Sequence, residues 1–174
     1  MTMPRRLAYA DPPYPGQAAR YGRRSEVNLP LLVAYLDEFD GWALSTSTPA
    51  LREIWNLAPH ARCAAWTKTY AKNTWTRVRY SWEPVLFVTD RVKHEPGQIS
   101  RVWDSIVATP TRTFSEVPGR CGGRKPYEFV HWMLDLLAYE EGEDELVDIF
   151  PGSGAVTAHA HARQLELGLV DAHA

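Results

Sequence analysis

Apolar residues along the chain follow two alternating patterns, and the first is typical of β-strands. Short apolar runs rich in β-branched and aromatic residues, bounded by turn residues, predict strands. Five such runs lie at residues 5–10, 41–47, 61–69, within 77–90, and at 143–150. Each run is long enough to cross a sheet once.

The second pattern is helical. Two segments repeat apolar residues at i, i+3, i+4 and i+7: Leu29, Leu32, Val33 and Leu36 within residues 27–40, and Val130, Met133, Leu134 and Leu137 within residues 125–140. A third helix is predicted over residues 48–59, with Ser47 or Thr48 as its N-cap and Pro49 in its first turn. A fourth is predicted over residues 152–166.

Strands that alternate with helices predict an α/β fold, with a mostly parallel central sheet flanked by helices. The 174 residues are expected to form a single domain, 1–174. Residues 91–124 contain turn residues and few periodic signals, so an irregular insert is expected there, which is a candidate for a small target-recognition region. Four tryptophans are expected in the core: Trp42, Trp55, Trp103 and Trp132.

Composition limits the classes of function. The net charge is −2, so any nucleic-acid binding must come from a local basic patch. Two cysteines, with no CxxC pair, exclude a disulfide framework and a cysteine zinc site. The chain has no secretory h-region and no apolar stretch near the roughly 18 residues of a membrane span. A protein of the cytoplasm is therefore expected, with no membrane and no metal as partners.

Residues 8–16, AYADPPYPG, place a carboxylate on a stiff elbow directly after the first strand. Pro12 and Pro13 fix φ twice and remove two backbone donors, so this segment cannot enter a helix. In open α/β sheets, ligands bind beyond the carboxyl ends of the strands. Asp11 is therefore placed where a ligand is expected.

Residues 147–156, VDIFPGSGAV, form a second unusual loop between the last strand and the last helix. Gly152 and Gly154 flank Ser153, and glycines let a ligand approach the backbone closely. A plain strand-to-helix turn explains this loop alone equally well. It lacks the GK[ST] of a P-loop, and Thr157 occupies the place of the third glycine of a GxGxxG motif.

Together, the two loops resemble those of the S-adenosylmethionine-dependent amino-methyltransferases that act on DNA. Asp11, Pro12, Pro13 and Tyr14 match the [D/N/S]PP[Y/F/W] loop of that family. The D-x-F-x-G-S-G cofactor loop is matched by Asp148, Phe150, Gly152, Ser153 and Gly154, and the K-P-x-x-[LF] helix start by Lys125, Pro126 and Phe129. The catalytic loop precedes the cofactor loop, which is the beta-class order.

The resemblance implies a Rossmann-like methyltransferase fold, shortened at its C-terminal end, of a phage or bacterial type. It implies S-adenosylmethionine as cofactor and double-stranded DNA as substrate, with the target base flipped out of the helix. The DPPY form is more typical of adenine N6 enzymes. Cytosine N4 in DNA, adenine in RNA, or an inactive subunit that only binds nucleic acid are the alternatives.

The resemblance also assigns roles to residues. The catalytic set is Asp11, Pro12, Pro13 and Tyr14. The cofactor-binding set is Ala10, Asp11, Lys125, Pro126, Asp148, Phe150, Pro151, Gly152, Ser153 and Gly154. Family members usually continue into a strand that ends in an acid for the cofactor ribose, and Glu166 or Asp171 are the candidates here.

Two basic clusters near these loops are candidates for DNA contact. Basic side chains that interleave with aromatic residues suit nucleic acid, but a solvated strand pair looks similar. The candidates are Arg20, Arg23, Arg24, Lys68, Lys72, Arg77 and Arg79. Glu83 has two interpretations, as a buried, paired carboxylate near the site or as a turn residue. An exposed sheet edge makes a homodimer a further candidate.

Overall fold

A computed structural model describes residues 4–21, 25–69, 77–91, 102–110, 124–152 and 154–160. Within these ranges, six strands form one sheet. They are β1 (Arg6–Ala10), β2 (Gly41–Ser45), β3 (Arg62–Thr67), β4 (Trp82–Thr89), β5 (Ser105–Val107) and β6 (Glu145–Asp148). The order across the sheet is β5-β3-β4-β2-β1-β6. The five strands predicted from the sequence are all present.

Most neighbouring strands in the sheet are parallel. The pairs β1–β2, β1–β6 and β3–β5 are parallel, whereas β4 runs antiparallel to both β2 and β3. The expected mostly parallel sheet is therefore confirmed, with β4 reversed within it. The reversal places the beginning of β4 at the edge where β1, β2, β3 and β6 end.

Helices cover both faces of the sheet. They are α1 (Leu29–Leu36), α2 (Leu51–Leu57) and α3 (Tyr127–Leu136), with a short 3₁₀ helix at Ala18–Tyr21 and a helical segment at residues 155–160. The Asn28 side chain accepts the N–H of Leu31 at 3.1 Å and caps α1. The four apolar residues predicted to face the core from α1 are all buried.

The core has two layers because side chains alternate along the strands. Leu7 and Tyr9 of β1 pack with Phe129 and the other apolar residues of α3. Ala8 and Ala10, which point the other way, pack against α1 and α2. The sheet is thus buried on both faces, as a parallel sheet requires.

Two predictions about local structure were wrong, the cap of α2 and the burial of two tryptophans. Neither Ser47 nor Thr48 caps α2, because residues 47–50 form a turn and Ala50 is the N-cap without a side-chain hydrogen bond. Within the expected irregular insert, the short strand β5 pairs with β3, and this does not decide the prediction for the whole segment. Of the four tryptophans expected in the core, Trp55 and Trp103 are 39% and 73% exposed. The rest of the expected insert lies mostly outside the described residues.

Candidate active site

The two unusual loops begin side by side at one edge of the sheet. Tyr9 of β1 is in register with Asp148 of β6, and the Ile149 N–H donates to the Tyr9 carbonyl at 2.9 Å. Parallel neighbours end at the same edge, so the elbow and the glycine loop leave the sheet next to each other. The backbone of this edge brings Asp11 and Asp148 close enough to interact electrostatically.

The elbow is held rigidly. Pro12 and Pro13 are buried, and no peptide bond in the described residues is cis. The Gln17 N–H donates to the Tyr14 carbonyl at 2.9 Å, which closes a turn in which Gly16 has φ +76°. The chain direction after Asp11 is therefore fixed by sterics and by this hydrogen bond.

The Asp11 carboxylate faces a buried ammonium group. Lys125 Nζ lies 3.3 Å from Asp11 Oδ1, and the two side chains are 9% and 33% exposed, respectively. Lys125 directly precedes Pro126, the buried N-cap of α3. The start of α3 thus brings a positive charge to the elbow.

Lys125 has two further partners, on β2 and β4. Its Nζ lies 3.0 Å from Glu83 Oε2 and donates to Ser45 Oγ at 3.4 Å. The ammonium also lies 4.8 Å from the ring centroid of Trp66 and 5.0 Å from that of Phe129. These contacts stabilise a charge that burial alone would disfavour.

Glu83 connects Lys125 to a second lysine. Lys68, just after β3, forms a hydrogen-bonded ion pair with the Glu83 carboxylate and lies over the Trp66 ring at 4.9 Å. Glu83 is opposite Trp66 in the register of β3 and β4. Of the two interpretations of Glu83, the structure supports the buried, paired carboxylate.

The pKa shifts of these groups follow from burial and pairing. Burial raises the pKa of Asp11, and the Lys125 charge opposes that rise. Burial would also raise the pKa of Glu83, but Lys125 and Lys68 outweigh it and hold that pKa at about 2. The pKa of Lys125 lies well above its usual range, because Asp11 and Glu83 outweigh the effect of burial. Glu83 and Lys125 are therefore both charged at neutral pH.

Two tyrosines complete this part of the site. The Tyr9 hydroxyl and Ser45 Oγ form a buried hydrogen bond of 2.8 Å. Tyr14 interacts through its hydroxyl with Glu83, and burial raises its pKa well above the usual value. Tyr14 is therefore an uncharged aromatic ring beside Asp11.

The glycine loop makes the turn that its sequence predicts. Gly152 and Gly154 have φ of +50° and +73°, a region that residues with a Cβ rarely adopt. The Gly154 N–H donates to the Pro151 carbonyl at 2.6 Å, and the helical segment follows. A Cβ on Gly154 would meet no atom within 4 Å, so the space beside the turn is open. Ser153 lies outside the described residues.

Asp148, at the end of β6, is a carboxylate that its neighbours satisfy poorly with hydrogen bonds. Within the described part of the chain, neither of its side-chain oxygens has a geometrically complete hydrogen bond, and both are shielded from water. Burial raises its pKa to about 6; the Phe150 backbone partly opposes this, and the Asp11 charge adds to it. The next residues place Phe150 against the apolar layer below α1 and leave Pro151 exposed.

The candidate DNA-contacting residues divide into three groups. Arg77 and Arg79 are exposed just before β4. Lys68 is only 13% exposed, within the ion pair described above. Arg20 lies in the 3₁₀ helix, but its side chain is not described, and Arg23, Arg24 and Lys72 lie outside the described residues.

Beside the elbow, on the α1 side, lies an open depression of about 440 Å³. Its lining comes from the elbow, the start of α1 and one residue of α2: Pro13, Pro15, Glu26, Val27, Asn28, Leu29, Pro30 and Glu53. The depression therefore reaches the elbow on the side away from Lys125.

The described residues contain neither a membrane-spanning helix nor a metal-binding cluster. No helix there is long and apolar enough to cross a membrane. No cluster of three or more His, Cys, Asp or Glu side chains there has the arrangement of a metal site.

In sequence, the chain matches no protein family and no curated protein. In structure, it is similar to the M1.HpyAVI–SAM complex, with a TM-score of 0.58 and 15% identity, over 92% of this chain and 79% of that chain. A second structure, of M1.HpyAVI, gives a TM-score of 0.57 at 13% identity, over 93% and 78% of the two chains. The likeness shows the Rossmann-like methyltransferase fold expected from the sequence.

Proposed function

We propose that this chain transfers a methyl group from S-adenosylmethionine to the exocyclic N6 amine of an adenine in DNA, flipped out of the helix. The observation that carries the proposal is the meeting of the DPPY elbow and the glycine turn on the neighbouring strands β1 and β6. An acceptor loop and a donor loop must lie within one crevice for direct transfer. The fold shared with the M1.HpyAVI–SAM complex supports the choice of cofactor.

The elbow supplies what an aromatic amine needs in order to react. The amine lone pair is delocalised into the ring, so the nitrogen is a poor nucleophile until it becomes pyramidal. Hydrogen bonds from both N–H groups, one to the Asp11 carboxylate and one to the Pro12 carbonyl, favour that geometry. Because the two prolines hold both acceptors in place, little reorganisation is needed in the transition state.

The glycine loop offers the cofactor a hydrogen-bond acceptor and an open turn. The incompletely bonded Asp148 carboxylate suits an ammonium group such as that of the methionine part. The positive φ of Gly152 and Gly154 leaves open backbone for a ligand beside the turn. When bound, S-adenosylmethionine supplies an electrophilic methyl group on a sulfonium. In the transfer the N–CH₃ bond would form as the S–CH₃ bond breaks, with S-adenosylhomocysteine as the leaving group, and the amine nitrogen would pass its proton to Asp11 or to water.

The DNA side of the site needs a base outside the duplex. An amine within the stacked helix cannot reach a crevice at the edge of a sheet, so base flipping is part of the proposal. Tyr14 offers an uncharged ring for stacking on such a base. The exposed Arg77 and Arg79 are suited to phosphate contact. We also propose a homodimer, because a second copy would cover the outer edge of β6, which is an edge strand of the described sheet.

The test is a methyl-transfer assay with labelled S-adenosylmethionine on duplex DNA, followed by nucleoside analysis. We expect N6-methyladenine from the wild-type chain. Asp11→Ala should lower turnover by at least about 100-fold, because one of the two amine acceptors is lost. The Kd for S-adenosylmethionine, measured by calorimetry, should change little in that variant.

The same assay separates the alternatives. N4-methylcytosine, or labelling of RNA in place of DNA, would contradict the choice of base or of nucleic acid and keep the mechanism. S-adenosylmethionine that binds without transfer to any of these would contradict the enzymatic function. An Asp11→Ala variant with wild-type turnover would remove the elbow from the chemistry.

A further inference from the structure

We propose that Glu83, by holding the Lys125 ammonium, positions the Asp11 carboxylate for the transfer, and that Glu83 and Lys125 are positioning residues of this site. The inference rests on the proposed function, because it gives the two residues a role in that reaction. It is carried by a buried chain of charges that joins β3, β4 and the start of α3 to the elbow. Nothing in the DPPY motif itself requires this series of buried charged groups.

The geometry leaves Asp11 only partly engaged by the lysine. Lys125 Nζ divides its contacts among Glu83 at 3.0 Å, Asp11 at 3.3 Å and Ser45 at 3.4 Å. The shorter distance to Glu83 makes Glu83 the anchor, and the ion pair to Asp11 involves Oδ1. The Asp11 carboxylate is thus held through one oxygen. In the proposed reaction, its other oxygen would accept the amine N–H.

The anchor itself is rigidly held. The Glu83 carboxylate is 14% exposed and is bound from both sides, by Lys68 and by Lys125. The Trp66 ring lies beneath both ammonium groups. Two carboxylates and two ammonium groups balance in charge, which makes a buried network of this kind stable only as a unit. Removing one charged group should therefore change which of the remaining groups pair with one another.

Removing the Lys125 charge and removing the Glu83 charge should shift the pKa of Asp11 in opposite directions. The charged or titratable groups that face Asp11 are Tyr9 on β1, Lys68 after β3, Glu83 on β4, Asp148 on β6, Tyr14 in the elbow and Lys125 before α3. Loss of the Lys125 charge should raise the Asp11 pKa. Loss of the Glu83 charge should lower it, because a repelling charge is gone and Lys125 is free to pair more fully with Asp11.

The experiment compares four variants with the wild-type chain. Lys125→Met removes the ammonium, Lys125→Arg keeps a positive charge, and Glu83→Gln removes the anchor. Asp144→Asn is the matched control, since it breaks a buried carboxylate network at the opposite edge of the sheet. The Asp11 pKa is read from its side-chain carboxyl ¹³C signal. Values of kcat and KM are measured over a pH series.

We expect Lys125→Met to raise the Asp11 pKa by about one unit or more and to lower kcat about tenfold at acid pH, with recovery as the pH rises. Glu83→Gln should lower the Asp11 pKa and reduce kcat about tenfold at every pH, with less than about a threefold change in KM for S-adenosylmethionine. Lys125→Arg should restore the Asp11 pKa and part of kcat. Asp144→Asn should alter neither the Asp11 pKa nor kcat.

Two results would overturn the inference. One is an Asp11 pKa that stays at the wild-type value in both Lys125→Met and Glu83→Gln, as expected of a purely structural ion pair. The other is a Lys125→Met variant whose main defect is at least a tenfold rise in the Kd for S-adenosylmethionine, which would make Lys125 a cofactor ligand. A wild-type chain that methylates nothing contradicts the proposed function instead, and the ¹³C titration still decides the arrangement around Asp11.

Discussion

The surroundings of Asp148 disfavour its charged form. Its carboxyl is largely withdrawn from water and has no complete hydrogen bond within the described residues. Binding groups are often destabilising for this reason, because they are arranged for a ligand and not for the empty fold. Because the pKa of Asp148 is about 6, this destabilisation of the fold should depend measurably on pH.

Replacing Asp148 by Asn should stabilise the protein without ligand above pH 6. A carboxyl with a raised pKa favours folding only while it is protonated, so its ionisation lowers stability as the pH rises from about 4 to about 6. Asn avoids this loss. We expect a gain of about 1 kcal/mol at pH 8, discounted for the partial exposure of the carboxyl, and almost none at pH 4.

Urea unfolding at pH 4 and pH 8 measures this difference. Glu38→Gln, which removes an exposed carboxylate just after α1, is the matched control for the loss of one carboxylate. A gain of equal size at both pH values would mean that the Asp148 charge is not its cause. We also expect Asp148→Asn to bind S-adenosylmethionine more weakly.

Among the elements, β4 decides what the site contains. It is the one described strand that runs against its neighbours on both sides, so Glu83, near its beginning, lies at the edge where the other strands end. Lys68 reaches the same edge from the end of β3. The elbow and the glycine turn therefore share their edge with a charge network supplied by an antiparallel pair.

The glycine turn after β6 can be tested with a closely matched glycine elsewhere. Gly154 and Gly142 have φ of +73° and +76°, and an added Cβ would meet no atom within 4 Å at either position. Substitution by Ala should therefore cost each variant a similar 1–2 kcal/mol, roughly, of unfolding free energy. The two glycines differ in place, since Gly142 lies in the loop before β6.

We expect Gly154→Ala to weaken S-adenosylmethionine binding at least about tenfold and Gly142→Ala to leave it unchanged. Calorimetric titration gives the two affinities, and urea unfolding confirms that the losses of stability are similar. Equal affinities in the two variants would show that the turn after β6 does not contact the cofactor.

Across the whole molecule, an ion-pair cluster ties three distant segments together at the edge opposite the site. Asp144, with a side chain only 1% exposed, accepts hydrogen bonds from Arg5 before β1 and from Arg91 after β4. It also accepts the Glu140 N–H at 2.8 Å. The cluster joins the beginning of β1 and β6 to the end of β4, because β4 is reversed.

Asp144→Asn should lower the free energy of unfolding by about 3 kcal/mol, since it leaves two arginines beside a neutral group. Arg91 retains a contact with the exposed Glu140, which limits the loss. Chemical unfolding measures the change. Methyl transfer below the unfolding transition should match the wild type; a large fall in kcat in the folded variant would show that the two edges of the sheet are coupled.

Much of the fold was predictable because its signals are local. Hydrophobic periodicity located the strands and the helices, although Ala50 replaced Ser47 or Thr48 as the cap of α2. The three-residue strand β5 is too short to leave a periodic signal and forms only because β3 offers it a partner. Trp55 and Trp103 were placed in the core by residue type, which carries no information about the face of the element.

The sequence by itself determined the two loops and their residues, because proline and glycine restrict or free the backbone locally. It also determined their common edge, because parallel strands end at the same edge of a sheet. Only the tertiary structure decided what surrounds Asp11. Lys125 meets Glu83 and Ser45 across 42 and 80 positions of the chain, and these contacts depend on the reversed direction of β4 and on the packing of α3. Strand direction and long-range pairing follow from burial of the whole sheet, which no short stretch of sequence encodes.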